Sequence, residues 1–208
     1  MKVKVFVTTA ILVAAFLLSC STTTGTDGGT QLTKWAFDWA LDIARKWAED
    51  HWDGWESDAH IYRYLCVWAD EECMLGRPQA DSYWEIYFQN ADDAAYRVTV
   101  DSDSDADGDD LGDPGFEIDE IEAYSNDKLE EMMQFGLYET DLYWEMFEAD
   151  PEDFWWVVDV RTDWEDIFDG AENMFIISFY EDRSDDWPWG EIAIDADGEG
   201  DDYDWWYW

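Results

Sequence analysis

Positive charge is what this chain has least of. Its 11 Lys and Arg stand against 53 Asp and Glu, for a formal net charge of −42. A polyanion such as nucleic acid is repelled by such a surface and is excluded as a partner. Histidine is scarce too. His51 and His60 lie nine residues apart around a turn, and they read as solvated or hydrogen-bonded imidazoles rather than as a metal pair. No Gly-x-Ser-x-Gly, phosphate-binding glycine loop or Cys-x-x-Cys occurs, so the usual local signs of nucleophilic, nucleotide or redox chemistry are missing. Carboxylates are so numerous that no pair stands out as the acid and base of glycoside hydrolysis. The sequence predicts a protein that is not an enzyme.

What is present in excess is aromatic surface. The chain holds 16 Trp, 11 Tyr and 11 Phe, and 47% of it is hydrophobic. Charge alone describes a disordered chain, but disordered acidic tails lack these residues. Aromatic side chains bring the largest apolar area per residue and can build an interior. The expectation is a folded domain with an acidic skin. Like charges on that skin repel in dilute buffer, and molar salt shortens the screening length to about 3 Å. The excess of Asp and Glu over Lys resembles proteins of halophilic organisms. Adaptation to divalent cations is the competing explanation.

Residues 1–20 read as a targeting signal. Lys2 and Lys4 give a basic start, Val5 to Leu18 is an apolar run short of a membrane span, and Leu17-Leu18-Ser19-Cys20 follows. This ending resembles a bacterial lipobox, which implies cleavage before Cys20 and lipid on Cys20. Ser21 after the cysteine resembles the outer-membrane sorting type, and the absence of a twin Arg implies Sec export. An ordinary secretory signal ending in Cys is the competing reading. Residues 21–30 (STTTGTDGGT) form a flexible polar tether.

The remainder divides into a first helix-plus-hairpin unit at 31–113 and a second helix-plus-sheet unit at 114–208. Leu32, Trp35, Ala36, Trp39, Ala40, Ile43, Ala44 and Trp47 recur at helical steps and predict a helix over 31–50. Ser57 starts a second helix, with Ile61, Leu65 and Trp68 on one face. Cys66 and Cys73 form an even pair once Cys20 is lipidated, and outside the cytoplasm such a pair oxidises. Seven residues of unbroken helix span about 10.5 Å, too far for a disulfide, so the bridge requires the helix to end near Glu71. Alternation predicts strands at 83–90 and 96–101, and later at 154–160, 175–179 and 192–194. Ser125 caps a helix over 126–135, and Thr140 caps another over 141–148. The tail Trp205-Trp206-Tyr207-Trp208 reads as a last strand or a frayed end.

Asp101 to Asp113 (DSDSDADGDDLGD) is the most acidic stretch. Asp105, Asp107, Asp109 and Asp113, with the Leu111 carbonyl between them, have the spacing by which a tight turn aims oxygens at one Ca²⁺. The pattern resembles the short Asp-rich loops of thrombospondin-type and integrin-type repeats, although Asp110 stands where their Gly belongs. A solvated loop is the alternative. Trp187-Pro188-Trp189 lies in a connection and offers two rings for sugar stacking, or else a Trp-bracketed turn packed on the sheet.

Trp84-x-Ile86-x-Phe88 followed by Val98-x-Val100-Asp101 is echoed by Phe175-x-Ile177-x-Phe179 followed by Ile192-x-Ile194-Asp195-Ala196-Asp197-Gly198. The echo resembles PepSY-like, cystatin-type domains, in which a helix packs on a curled antiparallel sheet. The resemblance implies a non-catalytic binding module, in some relatives one that restrains a peptidase. The fold class expected is therefore α+β, with helices on antiparallel sheet in two such units or one continuous domain. The function expected is a lipid-anchored binding or structural protein of the cell envelope, on the outer membrane, meeting an unknown protein or glycan. The alternative is a calcium-dependent adhesion or carbohydrate-binding lipoprotein.

Overall fold

Alternation in the strand-forming runs sets two faces, and the burial pattern shows which one is covered. The computed structural model describes residues 37–52, 55, 59–69, 82–90, 94–164, 167–198 and 203–208. Helix α1 (Phe37–His51) buries Phe37, Ala40, Leu41, Ala44 and Ala48. The expected Trp stripe is thus turned by a notch. Small residues meet the sheet, while Trp39, Ile43 and Trp47 pack at the margin. Four strands follow: β1 (His60–Ala69), β2 (Tyr83–Gln89), β3 (Ala95–Asp101) and β4 (Ala106–Gly112). Helix α2 (Asn126–Gln134) runs into a π-helical turn (Phe135–Glu139) and α3 (Asp141–Phe147). Strands β5 (Trp155–Thr162), β6 (Asn173–Tyr180), β7 (Gly190–Asp195) and β8 (Trp205–Tyr207) complete the sequence of elements.

The strands form one antiparallel sheet in the order β4-β3-β2-β1-β5-β6-β7-β8. Each half is a meander preceded by helix, and the halves meet where β1 pairs with β5. The expected α+β class, helices on antiparallel sheet, is what is observed. Apolar side chains line up in ladders across the strands. One reads Val98, Ile86, Tyr64, Val160, Phe175, Ile194 and Trp205; the next reads Val100, Trp84, Cys66, Val158, Ile177, Ile192 and Tyr207. These ladders face the helices and form the main core with Met132, Met133, Leu137, Tyr143 and Trp144.

Two expectations are corrected. The helix expected from Ser57 is strand β1 over His60–Ala69; Ser57 itself lies outside the described residues. Register shifts at Ile61/Arg63 and Val67/Ala69 offset its alternation, so Ile61, Leu65 and Trp68 fall at helix-like spacing without sharing a face. The acidic loop is also largely a strand. Only residues 102–105 turn, and β4 pairs with β3 from Ala106 to Gly112. Gly108 is required there by packing, since a Cβ would come within 2.6 Å of the Trp47 ring and 2.9 Å of the Arg97 carbonyl.

Ser125 caps α2 as expected, accepting from Lys128 N at 3.3 Å. Thr140 does not cap α3; its hydroxyl donates to the Gly136 carbonyl at 2.8 Å. Cys20 and Cys73 lie outside the described residues, and Cys66 is buried in β1. No described helix is long and apolar enough to cross a membrane.

Candidate binding surface

The ladders that point away from the helices carry the distinctive chemistry. One row reads Asp109, Arg97, Tyr87, Arg63, Arg161, Met174 and Asp195 from β4 to β7. The next reads Asp107, Thr99, Glu85, Leu65, Asp159, Ile176, Ala193 and Trp206. Ile167 and Phe168 pack on Met174, Ile176 and Ala193, covering part of this side. Elsewhere the surface is tall aromatic and charged side chains.

Its ion pairs form a chain across five strands. Arg63 grips both oxygens of Asp159, Nε to Oδ1 at 2.9 Å and Nη2 to Oδ2 at 2.6 Å. Burial would lower the Arg63 pKa, but the Asp159 bond and charge outweigh it and hold the guanidinium more firmly protonated. Arg63 also lies 5.6 Å from the Tyr87 ring centroid. The Tyr87 hydroxyl donates to Glu85 at 2.7 Å, and burial together with that carboxylate pushes its pKa up to about 12. Arg97 bonds Asp109 and stands 3.7 Å from Glu85.

At one end Arg161 lies 5.1 Å from the Trp164 ring centroid. At the other, Arg183 reaches from the β6–β7 connection to within 3.8 Å of the Trp155 ring centroid and 5.9 Å of Trp68. Trp68 in turn meets Tyr180 edge-on at 5.5 Å. Four of the seven described cationic side chains are therefore on this one side. Arg, Tyr and Trp are the residues that dominate binding energy where proteins meet. Sequence reading missed the assembly because its members are scattered from residue 63 to residue 183. The only local sign was arginine standing between apolar residues in alternating runs, as at Tyr96-Arg97-Val98.

The proposed calcium ligands are not brought together. In an extended strand alternate residues are about 6.6 Å apart along the chain, whereas Ca²⁺ holds its oxygens at about 2.4 Å. Asp109 is occupied by Arg97. Asp107 Oδ1 accepts from Gly108 N at 2.9 Å, and Asp113 Oδ1 from Gly115 N at 2.6 Å. Asp101, ahead of the turn, accepts from the amides of Asp103 and Asp105 at 2.9 and 3.0 Å. Asp105 contributes its backbone to that turn, and Leu111 is exposed on the strand. The carboxylates close their own turns, and the stretch is built as a capped edge hairpin. Among the described residues no three His, Cys, Asp or Glu side chains gather in a way that could hold a metal ion. His51 bonds the Trp47 carbonyl at 2.8 Å and His60 the Ile118 carbonyl at 2.9 Å.

The two tryptophans of the β6–β7 connection separate. Trp187 is 82% exposed, while Trp189 packs on Phe154 at 4.6 Å and Phe147 at 5.4 Å. The Asp-rich turn after β7 serves as a staple. Asp197 accepts from Tyr124 Oη at 2.9 Å, Glu172 N at 2.6 Å and Asn173 N at 3.1 Å. Burial would raise its pKa, but these donors outweigh burial and lower it. Lys128 closes over the same turn, donating to the Gly198 carbonyl and, at 2.8 Å, to the Tyr203 hydroxyl. No family model, no curated protein and no solved structure matches this chain.

Proposed function

We propose that this is a lipid-anchored, non-catalytic module of the cell envelope, adapted to high salt, which binds another protein against the uncovered side of its sheet. The observation that carries the reading is the concentration of Arg63, Arg97, Arg161 and Arg183, four of the seven described cations, with Tyr87, Trp155 and Trp164 on one side of a chain whose net charge is −42. The PepSY-like, cystatin-type reading draws on the same architecture, a helix followed by a four-stranded meander, twice. Anchoring rests on the apolar run that ends at Cys20.

Three measurements test it. Labelled fatty acid should enter the native chain and not Cys20→Ser. Envelope proteins cross-linked to the native chain should be lost with Arg161→Glu and Trp164→Ala, while circular dichroism shows these variants folded. Unfolding should lose cooperativity below about 0.5 M salt, as repulsion becomes unscreened. Unlabelled native chain, an unchanged set of cross-linked partners, or full stability in dilute buffer without divalent ions would each overturn the corresponding part. A glycan reading is favoured by the exposure of Trp187 alone. Its test is retardation in polysaccharide gels that disappears with Trp187→Ala.

A further inference from the structure

The two edges of the sheet are finished in opposite ways. Outer strand β4 carries Asp107, Asp109 and Asp110, charges that discourage another strand from pairing. Outer strand β8 is Trp205-Trp206-Tyr207 and carries none. Among the described residues no strand pairs with its far side.

Antiparallel pairing directs the backbone groups of alternate residues inward and outward. Trp208 N donates to Glu191 O at 3.2 Å, Glu191 N to Trp208 O at 3.1 Å, and Asp195 N to Asp204 O at 2.9 Å. Residues 204, 206 and 208 therefore bond β7, and Trp205 and Tyr207 turn their N–H and C=O away from the sheet. The edge is also flanked by apolar surface on both sides. On the helix side the Tyr207 hydroxyl lies 3.7 Å from Met146 Sδ, beside Phe147, which is 45% exposed. On the other side Trp206 is 59% and Trp208 45% exposed.

Charge selects the occupant. The edge is bordered by Glu191, Asp195 and Asp204. These carboxylates are close enough to a docked strand for their charge to act at contact range even in molar salt. They favour a cationic segment over a second copy of this acidic chain. We propose that β8 accepts an extended, basic segment of another protein as a ninth strand, with backbone hydrogen bonds to Trp205 and Tyr207 and apolar side chains against the flanking rings. This edge adjoins the arginine-bearing side at Trp206 but uses none of its arginines, so the two can fail independently.

The probe is acetyl-(Lys-Val)4-amide, titrated calorimetrically into the full chain in about 1 M NaCl, where long-range attraction is screened. N-methylation of alternate residues of the peptide should abolish binding, and acetyl-(Glu-Val)4-amide should bind more weakly than the basic peptide. Tyr207→Ala removes the ring, which also packs on Tyr143 and Phe147, and Tyr207→Pro removes the ring and the outward N–H together. Tyr207→Pro should bind about tenfold more weakly than Tyr207→Ala at a similar thermal midpoint. Absence of binding, equal binding of the N-methylated peptide, or a preference for the acidic peptide overturns the proposal. A dimer in sedimentation that Tyr207→Pro dissolves would give the edge to a second copy and overturn it as well. Should Tyr207→Pro fail to fold, the N-methylated peptide still decides the matter on the native chain.

Discussion

Replacing Arg63 by Met while leaving Asp159 in place should cost far more than the reverse replacement. The asymmetry follows from unequal exposure: the Asp159 side chain is 8% exposed and that of Arg63 is 34% exposed. The neighbours of Asp159 across the strands are Leu65 and Ile176. A carboxylate left among them without its guanidinium is poorly hydrated, and Arg161, two residues along the strand, is engaged with the Trp164 ring. Removing one partner of a buried pair costs about 3–5 kcal/mol, so Arg63→Met belongs in that range. After Asp159→Leu, Arg63 can turn toward water and the Tyr87 ring, and its repulsion with Arg161 is screened at high salt. A loss of about 1–2 kcal/mol is expected, near that of one hydrogen bond to a charged group. The double variant should lie within about 1 kcal/mol of the native chain, because two apolar side chains can replace a buried ion pair at little net cost. Urea unfolding at constant molar salt, with the slope fitted for each variant, supplies the three differences. If Asp159→Leu costs as much as Arg63→Met, the argument from unequal desolvation is wrong.

Three further outcomes follow from local geometry. A Cβ at Gly190 would sit inside contact distance of the Tyr143 hydroxyl, so Gly190→Ala should destabilise by about 1–3 kcal/mol, and Tyr143→Phe should recover most of that loss in thermal unfolding. The Tyr87 pKa stands near 12 instead of 10. The folded state therefore keeps a proton that the unfolded chain has lost, and stability should fall between pH 10 and 12, less steeply in Tyr87→Phe. The Asp197 carboxyl is held below its ordinary 3.8, so its contribution is present above that value and disappears as pH falls through the folded value. The midpoint difference between the native chain and Asp197→Asn should accordingly shrink below about pH 4, and a constant difference would refute the staple.

Much of the local structure could be read from residues close together in the chain. Ser125 and the apolar spacing after it mark α2, and alternation marks β2, β3, β5, β6 and β7, because cap and period are properties of a few consecutive residues. β1 was misread because two register shifts move its apolar residues onto helix-like spacing. β4 was unreadable for another reason. Ala-Asp-Gly-Asp-Asp-Leu-Gly has no intrinsic strand preference, and it is extended because β3 supplies a ladder and Trp47 lies over Gly108. The tertiary structure alone decided that the halves join through β1 and β5 into one sheet, and that Arg97, Glu85, Tyr87, Arg63 and Asp159 meet along it. Amino-acid order determined the acidic skin, the aromatic interior and the α+β class through charge, burial and period. The arginine-bearing surface depends on register between strands as much as 96 residues apart, which no local pattern encodes.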